Sequence, residues 1–399
     1  MTTYSVTYNK YAAFLFLFIS PLLTIPYLLL GIYRREKSAF FLFSLSLGLF
    51  AWLQIPSADL LRHSISAYDI ATRTLDTILN DDLNPDFIIP LFNWLILNSG
   101  LPYQLLRLIT TTEAFWLLTI IFNNMIEKSP RLYTRQEVFI RFIIMYLFFE
   151  FIQTVNGVRY GFALYQFIFS LHLFFNKKNY LGAVLFALFA AKIHVSFSFI
   201  IPFTCLVYII CNTRKKIALL FLSSPFFLLL VIKAISPFMG RRADWYFDGG
   251  SSVTGDNIAN STIYGVILFM GIRLFLIPFA FLCYKYFNKK LHWIRLGTVF
   301  TIFILLFISN GIMIFRFSLL LAAVGCFVLL QVESFVKLKK SLIQTILIFG
   351  IFTCMFNTIN YRNIILKSHY EYAIFPVPFI LNYQYDYKDL VIEYEKSLI

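Results

Sequence analysis

The stretch SAFFLFSLSLGLFAWLQIPSADLLRHSIS, residues 38–66, carries the two signals on which the fold turns. Its first part is an uncharged apolar run that ends near Ile55. Its second part crowds an acid, an arginine and a histidine, Asp59, Arg62 and His63, immediately after that run. Apolar runs of around twenty residues recur along the whole chain, each long enough to cross a hydrocarbon core of about 30 Å. Of the 399 residues, 59% are hydrophobic and only 14% charged, and the mean hydropathy is +0.75, more apolar surface than a soluble core needs. The runs do not alternate, which excludes a transmembrane β-barrel. The chain reads as an all-α polytopic membrane protein.

The formal charge of +14 sits in short loops between apolar runs, so positive-inside bias explains it and nucleic acid is not implied. Basic clusters at Arg34/Arg35/Lys37, Lys128/Arg131/Arg135, Lys177/Lys178, Arg214/Lys215/Lys216, Lys285/Lys289/Lys290/Arg295 and Lys337/Lys339/Lys340 mark the cytoplasmic side. The N-terminus, residues 56–86, residues 236–262 and the tail after Asn360 are then expected outside. Tyr11–Ile32 is too long for a signal h-region and is read as the first span. Further spans are read at 38–55, 103–126, 137–154, 157–175, 217–236, 263–284, 293–309, 312–335 and 342–359. Residues 180–212 lie between basic flanks and would be about 50 Å long as one helix, so they are expected to go out and back with an apex near 190–196. Residues 87–101 read as a short in-plane or re-entrant piece. The total is about twelve crossings. The five cysteines form no CxxC pair and no metal spacing.

Residues 57–83 follow the second span outward. Leu61, Ile65, Tyr68, Leu75 and Leu79 recur at helical spacing, which predicts an amphipathic helix on the outer surface with Asp59, Arg62 and His63 on its polar face. Those charges are either a substrate edge or simply solvated.

Charge inside hydrocarbon is costly and marks a cavity or a substrate path. Arg159 in NGVRYG, Arg316 in SNGIMIFRF, Arg107, Lys192 and His194 all fall in the outer third of the membrane, while Arg273 and Glu113 lie nearer the midplane. Arg107 is also compatible with snorkelling to outer headgroups, and Arg141 and His172 are expected to snorkel at the cytoplasmic ends. Glu113 is expected to pair with Arg273 or Arg107. Arg159, Arg316 and His194 together suit a diphosphate, which needs fork-shaped donors in a poorly solvated site. In the outer loop 236–262, Trp245, Tyr246 and Phe247 beside Asp244 and Asp248 read equally as a sugar-binding set and as an interfacial aromatic belt. No P-loop, dinucleotide fingerprint or HExxH is present, so an activated lipid rather than a nucleotide is the expected source of driving force.

The order PSADLLRHSISAY, NPDFIIPLFNWLI, NGVRYGFAL, FAAKIHVSFSFIIP and IFRFSLLL resembles Wzy-type O-antigen polymerases of the EpsG-like group over roughly residues 1–360. The resemblance implies a multi-span, lipid-dependent glycosyltransferase of the GT-C kind, hexosyltransferase-type, with a polymerase domain over 1–360 and a periplasmic tail at 361–399. It would work at the periplasmic face of the bacterial inner membrane in lipopolysaccharide biosynthesis. There it would move the growing glycan from undecaprenyl diphosphate onto a new lipid-linked repeat unit, without a cofactor or metal. Donor and acceptor lipids, and a chain-length regulator, are the implied partners. Arg159 and Arg316 match the arginines expected to hold the diphosphate, with Arg62, Lys192 and Arg273 as further cations. His194 matches the histidine of an H-S motif, although Val195 intervenes before Ser196 here. His194 ranks first as the base, ahead of Asp59 and His63. Trp245, Tyr246 and Asp248 are the sugar-binding candidates. An O-antigen ligase and a lipid-linked oligosaccharide flippase remain alternatives.

Overall fold

The structure is a computed structural model that describes residues 7–79, 86–213, 276–306, 311–385, 388 and 390–392, with the backbone alone at 58, 59, 306 and 311–315. The regular structure of the described residues is helical throughout. Among the described residues, three helices are long and apolar enough to cross a membrane: Gln104–Glu127, the Arg316–Glu333 part of a longer helix, and Lys340–Asn360. The other apolar helices run from 10 to 17 residues. Of the expected crossings, about twelve in all, these three and the shorter apolar helices are the part seen among the described residues. The span at 217–236 and the loop 236–262 lie outside the described residues.

The first span is where the structure departs furthest from the sequence reading. Two helices replace it, α1 (Lys10–Ile19) and α2 (Pro21–Tyr33). The break is at Ser20, which precedes a proline and is therefore pushed out of the helical region, with φ −161° and ψ 102°. Its hydroxyl then caps α2 by accepting from the Leu23 amide at 3.4 Å. The two helices fold back on one another. The Asn9 amide donates to Tyr27 Oη at 2.7 Å, whereas a continuous helix would hold those residues about 27 Å apart. Tyr8 stacks on Tyr27 at 5.3 Å and its hydroxyl meets Ser38 Oγ at 3.3 Å. Residues 7–9 thus lie at the same end as the basic turn Arg34–Lys37, not at the opposite end as expected of the segment before the first span.

From that turn α3 (Lys37–Leu53) runs to the far end and α7 (Gln104–Glu127) returns, closed by the Lys37–Glu127 ion pair at 3.0 Å. Gly48 lets them meet: a Cβ there would stand 2.0 Å from Thr112 Oγ1 and 2.7 Å from the Leu108 carbonyl oxygen. Aromatic rings fill the seam with α8 (Arg135–Leu147), where Phe40 and Phe43 each meet Phe142 edge-on at 5.5 Å. Between α3 and α7 the chain forms α4 (Ala58–Ala71), α5 (Leu75–Leu79) and α6 (Ile88–Asn98). The outer helix ends at Ala71 rather than continuing to residue 83. Its buried face is Leu60, Leu61, Ser64 and Ala67, with Leu75 and Leu79 exposed. The expected stripe is correct only at Leu61, since Ile65 and Tyr68 are half-buried.

After α8 the chain turns at Glu150, in the left-handed region at φ 50°, into α9 (Phe151–Asn156) and α10 (Val158–His172), which ends in a π turn. Residues 180–212 go out and back as expected, as α11 (Tyr180–Ile193) and α12 (Ser196–Ile210) with His194 and Val195 at the apex. Tyr208 consequently returns to Phe175, 5.0 Å between rings. The remaining long elements are α13 (Ile277–Lys285), α14 (His292–Leu306), α15 (Gly311–Glu333) and α16 (Lys340–Asn360).

Arg141 and His172 do not snorkel. Both are buried, and Arg141 grips Glu333 of α15 with two parallel hydrogen bonds of 2.5 and 3.0 Å. Arg107 does not snorkel either. It is fully buried, and its guanidinium donates to the carbonyls of Gln54 and Trp52 at the end of α3, groups that a helix terminus leaves without intrahelical donors. The tail joins the same cap: Tyr385 Oη donates to the Leu53 carbonyl at 2.8 Å, and the Ile55 amide donates to Ser368 Oγ at 2.9 Å.

Candidate functional site

The far end of the bundle, opposite the basic turns, gathers side chains from four separate stretches. Arg159 stands in the first turn of α10, just after Gly157. Its Nη1 reaches Asp86 Oδ2 at 3.0 Å, and the Asp86 carboxyl is wholly buried. Phe87, next in the chain, lies under the Lys192 ammonium at 5.8 Å, which brings the end of α11 to the same stretch.

Tyr160, beside Arg159, joins the second half of the cluster. Its hydroxyl donates to the Arg316 carbonyl at 2.8 Å, its ring lies 5.2 Å from the Arg316 guanidinium, and it meets His194 edge-on at 5.5 Å. Arg316 Nη1 donates to Ser196 Oγ at 2.7 Å, and Ser196 Oγ stands 2.9 Å from His194 Nδ1. The Ser196 amide also donates to that nitrogen, at 3.1 Å. This bond is local: His194 is the extended residue between α11 and α12, so its ring folds back over the first turn of α12. At the rim, Asn156 Oδ1 accepts from Gln54 Nε2 at 2.8 Å and from Ser57 Oγ at 3.3 Å, tying the entry of α4 to the end of α9.

Arg159, Lys192, His194 and Arg316 therefore converge, while Asp86, Tyr160 and Ser196 are the links that sequence reasoning did not select. All three stand inside quoted motifs, NPDFIIP, NGVRYG and the stretch after AAKIH, so a signal for them existed. On α4, Arg62 is exposed and His63 half-buried; for Asp59 only its backbone place, early in that helix, is described. Arg273, Trp245, Tyr246 and Asp248 lie outside the described residues. Glu113 does not pair with Arg107 in the contacts described; its Oε1 accepts from Gln166 Nε2 at 3.0 Å, and the other expected partner, Arg273, lies outside the described residues. Among the described residues, no three His, Cys, Asp or Glu side chains gather as a metal set.

An apolar helical bundle that draws arginines, a histidine and a buried carboxylate to one end is the architecture of a membrane protein with its intramembrane charge concentrated at that end. The EpsG family model matches residues 66–376, most of the chain, and the chain belongs to that family, the family of Wzy-like polymerases. Membership marks a membrane protein of polysaccharide biosynthesis, of the glycosyltransferase-like polymerase type. Asp86, Arg159, His194 and Arg316 fall within the match; Asp59, Arg62 and His63 precede it. Neither the curated proteins nor the solved structures yield a match.

Proposed function

We propose that the protein is a surface-polysaccharide polymerase of the O-antigen type. In this reading it transfers the growing glycan from undecaprenyl diphosphate to the nonreducing sugar of a new lipid-linked repeat unit, at the periplasmic face of the inner membrane. The observation that carries the reading is that Arg316 bonds both to Tyr160, the neighbour of Arg159 in the first turn of α10, and to Ser196, which meets His194. Two guanidinium forks in a poorly solvated site suit a diphosphate, whose charge grows as the glycosidic bond breaks. Donors aimed at it thus stabilise the transition state more than the ground state. The outer loop 236–262 and the first turns of α4 are proposed to hold the acceptor sugar, with Asp59 or His63 nearby, and a chain-length regulator is a proposed partner.

The test is purified protein in nanodiscs with lipid-linked repeat units, following elongation on gels. Wild type should build a ladder. Arg159→Lys and Arg316→Lys should each slow elongation at least about tenfold, because a point charge replaces a fork. Near wild-type ladders from both variants, or none from wild type, would overturn the reading.

A further inference from the structure

His194 is positioned against the role that its residue type suggests. Its Nδ1 is met by two donors at once, the Ser196 amide at 3.1 Å and the Ser196 hydroxyl at 2.9 Å. The amide hydrogen has no other use for that contact, so Nδ1 must present a lone pair. The hydroxyl is compatible with this: its oxygen accepts from Arg316 Nη1 at 2.7 Å, and with Nδ1 already accepting from the amide, its proton is the one that can lie between Ser196 Oγ and His194. The tautomer of a histidine is set by the bond its other nitrogen makes, so the neutral ring carries its proton on Nε2. A base needs a lone pair facing the substrate, and Nε2 has none in this tautomer.

Resting on the polymerase reading, we infer that His194 serves as a hydrogen-bond donor through Nε2–H to the departing diphosphate, and that Ser196 is the positioning residue that fixes this tautomer and couples it to Arg316. The anomeric C–O bond breaks and its electron pair passes to the diphosphate oxygen, where the Nε2–H meets the growing charge. The acceptor hydroxyl oxygen forms the new glycosidic bond. Its proton passes to a carboxylate at the same end of the bundle, and His194 keeps its own proton throughout. The ranking of His194 as the base is thereby replaced.

Two measurements test the inference. Glutamine places an amide N–H where histidine holds Nε2–H and cannot accept a proton at neutral pH. His194→Gln should therefore keep at least about a tenth of wild-type turnover, whereas His194→Ala loses about a hundredfold or more. Loss equal to that of His194→Ala, in a His194→Gln protein that still binds undecaprenyl diphosphate, would overturn the inference. Independently of activity, 15N spectra of histidine-labelled wild type in nanodiscs, assigned by the signals missing from His194→Gln, should show Nδ1 unprotonated and Nε2 protonated. The reverse pattern would overturn the assignment even if every variant were inactive. Absence of elongation by wild type would instead sink the polymerase reading while the spectrum still decides the tautomer.

Discussion

Asp86 and Arg159 meet at 3.0 Å across 73 positions of sequence, and the Asp86 carboxyl is wholly buried while the Arg159 side chain is 19% exposed. Breaking such a pair leaves a charge in a poor solvent, at a cost of about 3 kcal/mol, whereas removing both charges costs much less. Asp86→Asn should accordingly lower the unfolding midpoint in detergent, and the double variant Asp86→Asn, Arg159→Gln should recover most of it. Elongation should stay low in the double variant, because the guanidinium proposed to hold the diphosphate is still missing. Recovery of both stability and elongation would reduce the pair to packing.

Legibility in the sequence followed the length scale of each signal. The out-and-back of residues 180–212 was readable because basic flanks and helix length both constrain it. The break at Ser20 was written in the Ser-Pro dipeptide but lost inside a run that hydropathy alone joins together. Arg107, Arg141 and His172 were misplaced for one reason: depth along a helix says nothing of which side faces protein and which faces lipid. Their partners, the Gln54 carbonyl and Glu333, come from segments that only the tertiary fold brings near. The cationic members of the site were visible because charge in an apolar run is rare. Asp86, Tyr160 and Ser196 were not, since a short acid in a loop, a tyrosine and a serine are unremarkable until something is seen to lean on them.

At the basic end, Glu333 is buried between Arg141 and Arg131, the latter at 3.5 Å, and Arg131 also reaches Glu137 at 2.5 Å. The nearby Tyr133 hydroxyl is pushed up to about 12, by burial first and then by the Glu333 charge. Glu333→Gln leaves Arg141 without its carboxylate and should cost about 3 kcal/mol, read as a lower unfolding midpoint. Once corrected for folded protein, elongation should stay within about twofold of wild type, because this end holds none of the cluster. A tenfold loss of turnover in fully folded protein would show that the ion network reaches the site.

Arg107 closes the end of α3 together with the tail. Its guanidinium holds the Gln54 and Trp52 carbonyls, and the Tyr385 ring lies 5.6 Å from it. Arg107→Ala leaves two acceptors without that donor, each worth about 1–3 kcal/mol when buried. The tail, held to α3 through Ser368 and Tyr385, should loosen with them. Limited proteolysis should cut residues 368–385 faster in Arg107→Ala than in wild type. Equal cutting rates, with an unchanged unfolding midpoint, would show that the tail docks without this arginine.

The fold-back of α1 on α2 makes a prediction about sidedness. Tyr8 touches Tyr27 and Ser38, so Thr7 must lie at the end that carries Arg34 and Lys37, while Glu371 belongs to the tail at the far end beside Leu53 and Gln54. Positive-inside bias places the Arg34–Lys37 turn in the cytoplasm, and Thr7 goes with it. The five native cysteines are first replaced, and single cysteines are then introduced as Thr7→Cys, Lys37→Cys and Glu371→Cys. All three positions have exposed side chains or an exposed residue surface. A membrane-impermeant maleimide added to intact spheroplasts should label Glu371→Cys alone, and all three after lysis. Labelling of Thr7→Cys together with Glu371→Cys before lysis would mean that residues 10–33 cross the membrane once, and the hairpin built on Ser20 and Tyr27 would be wrong.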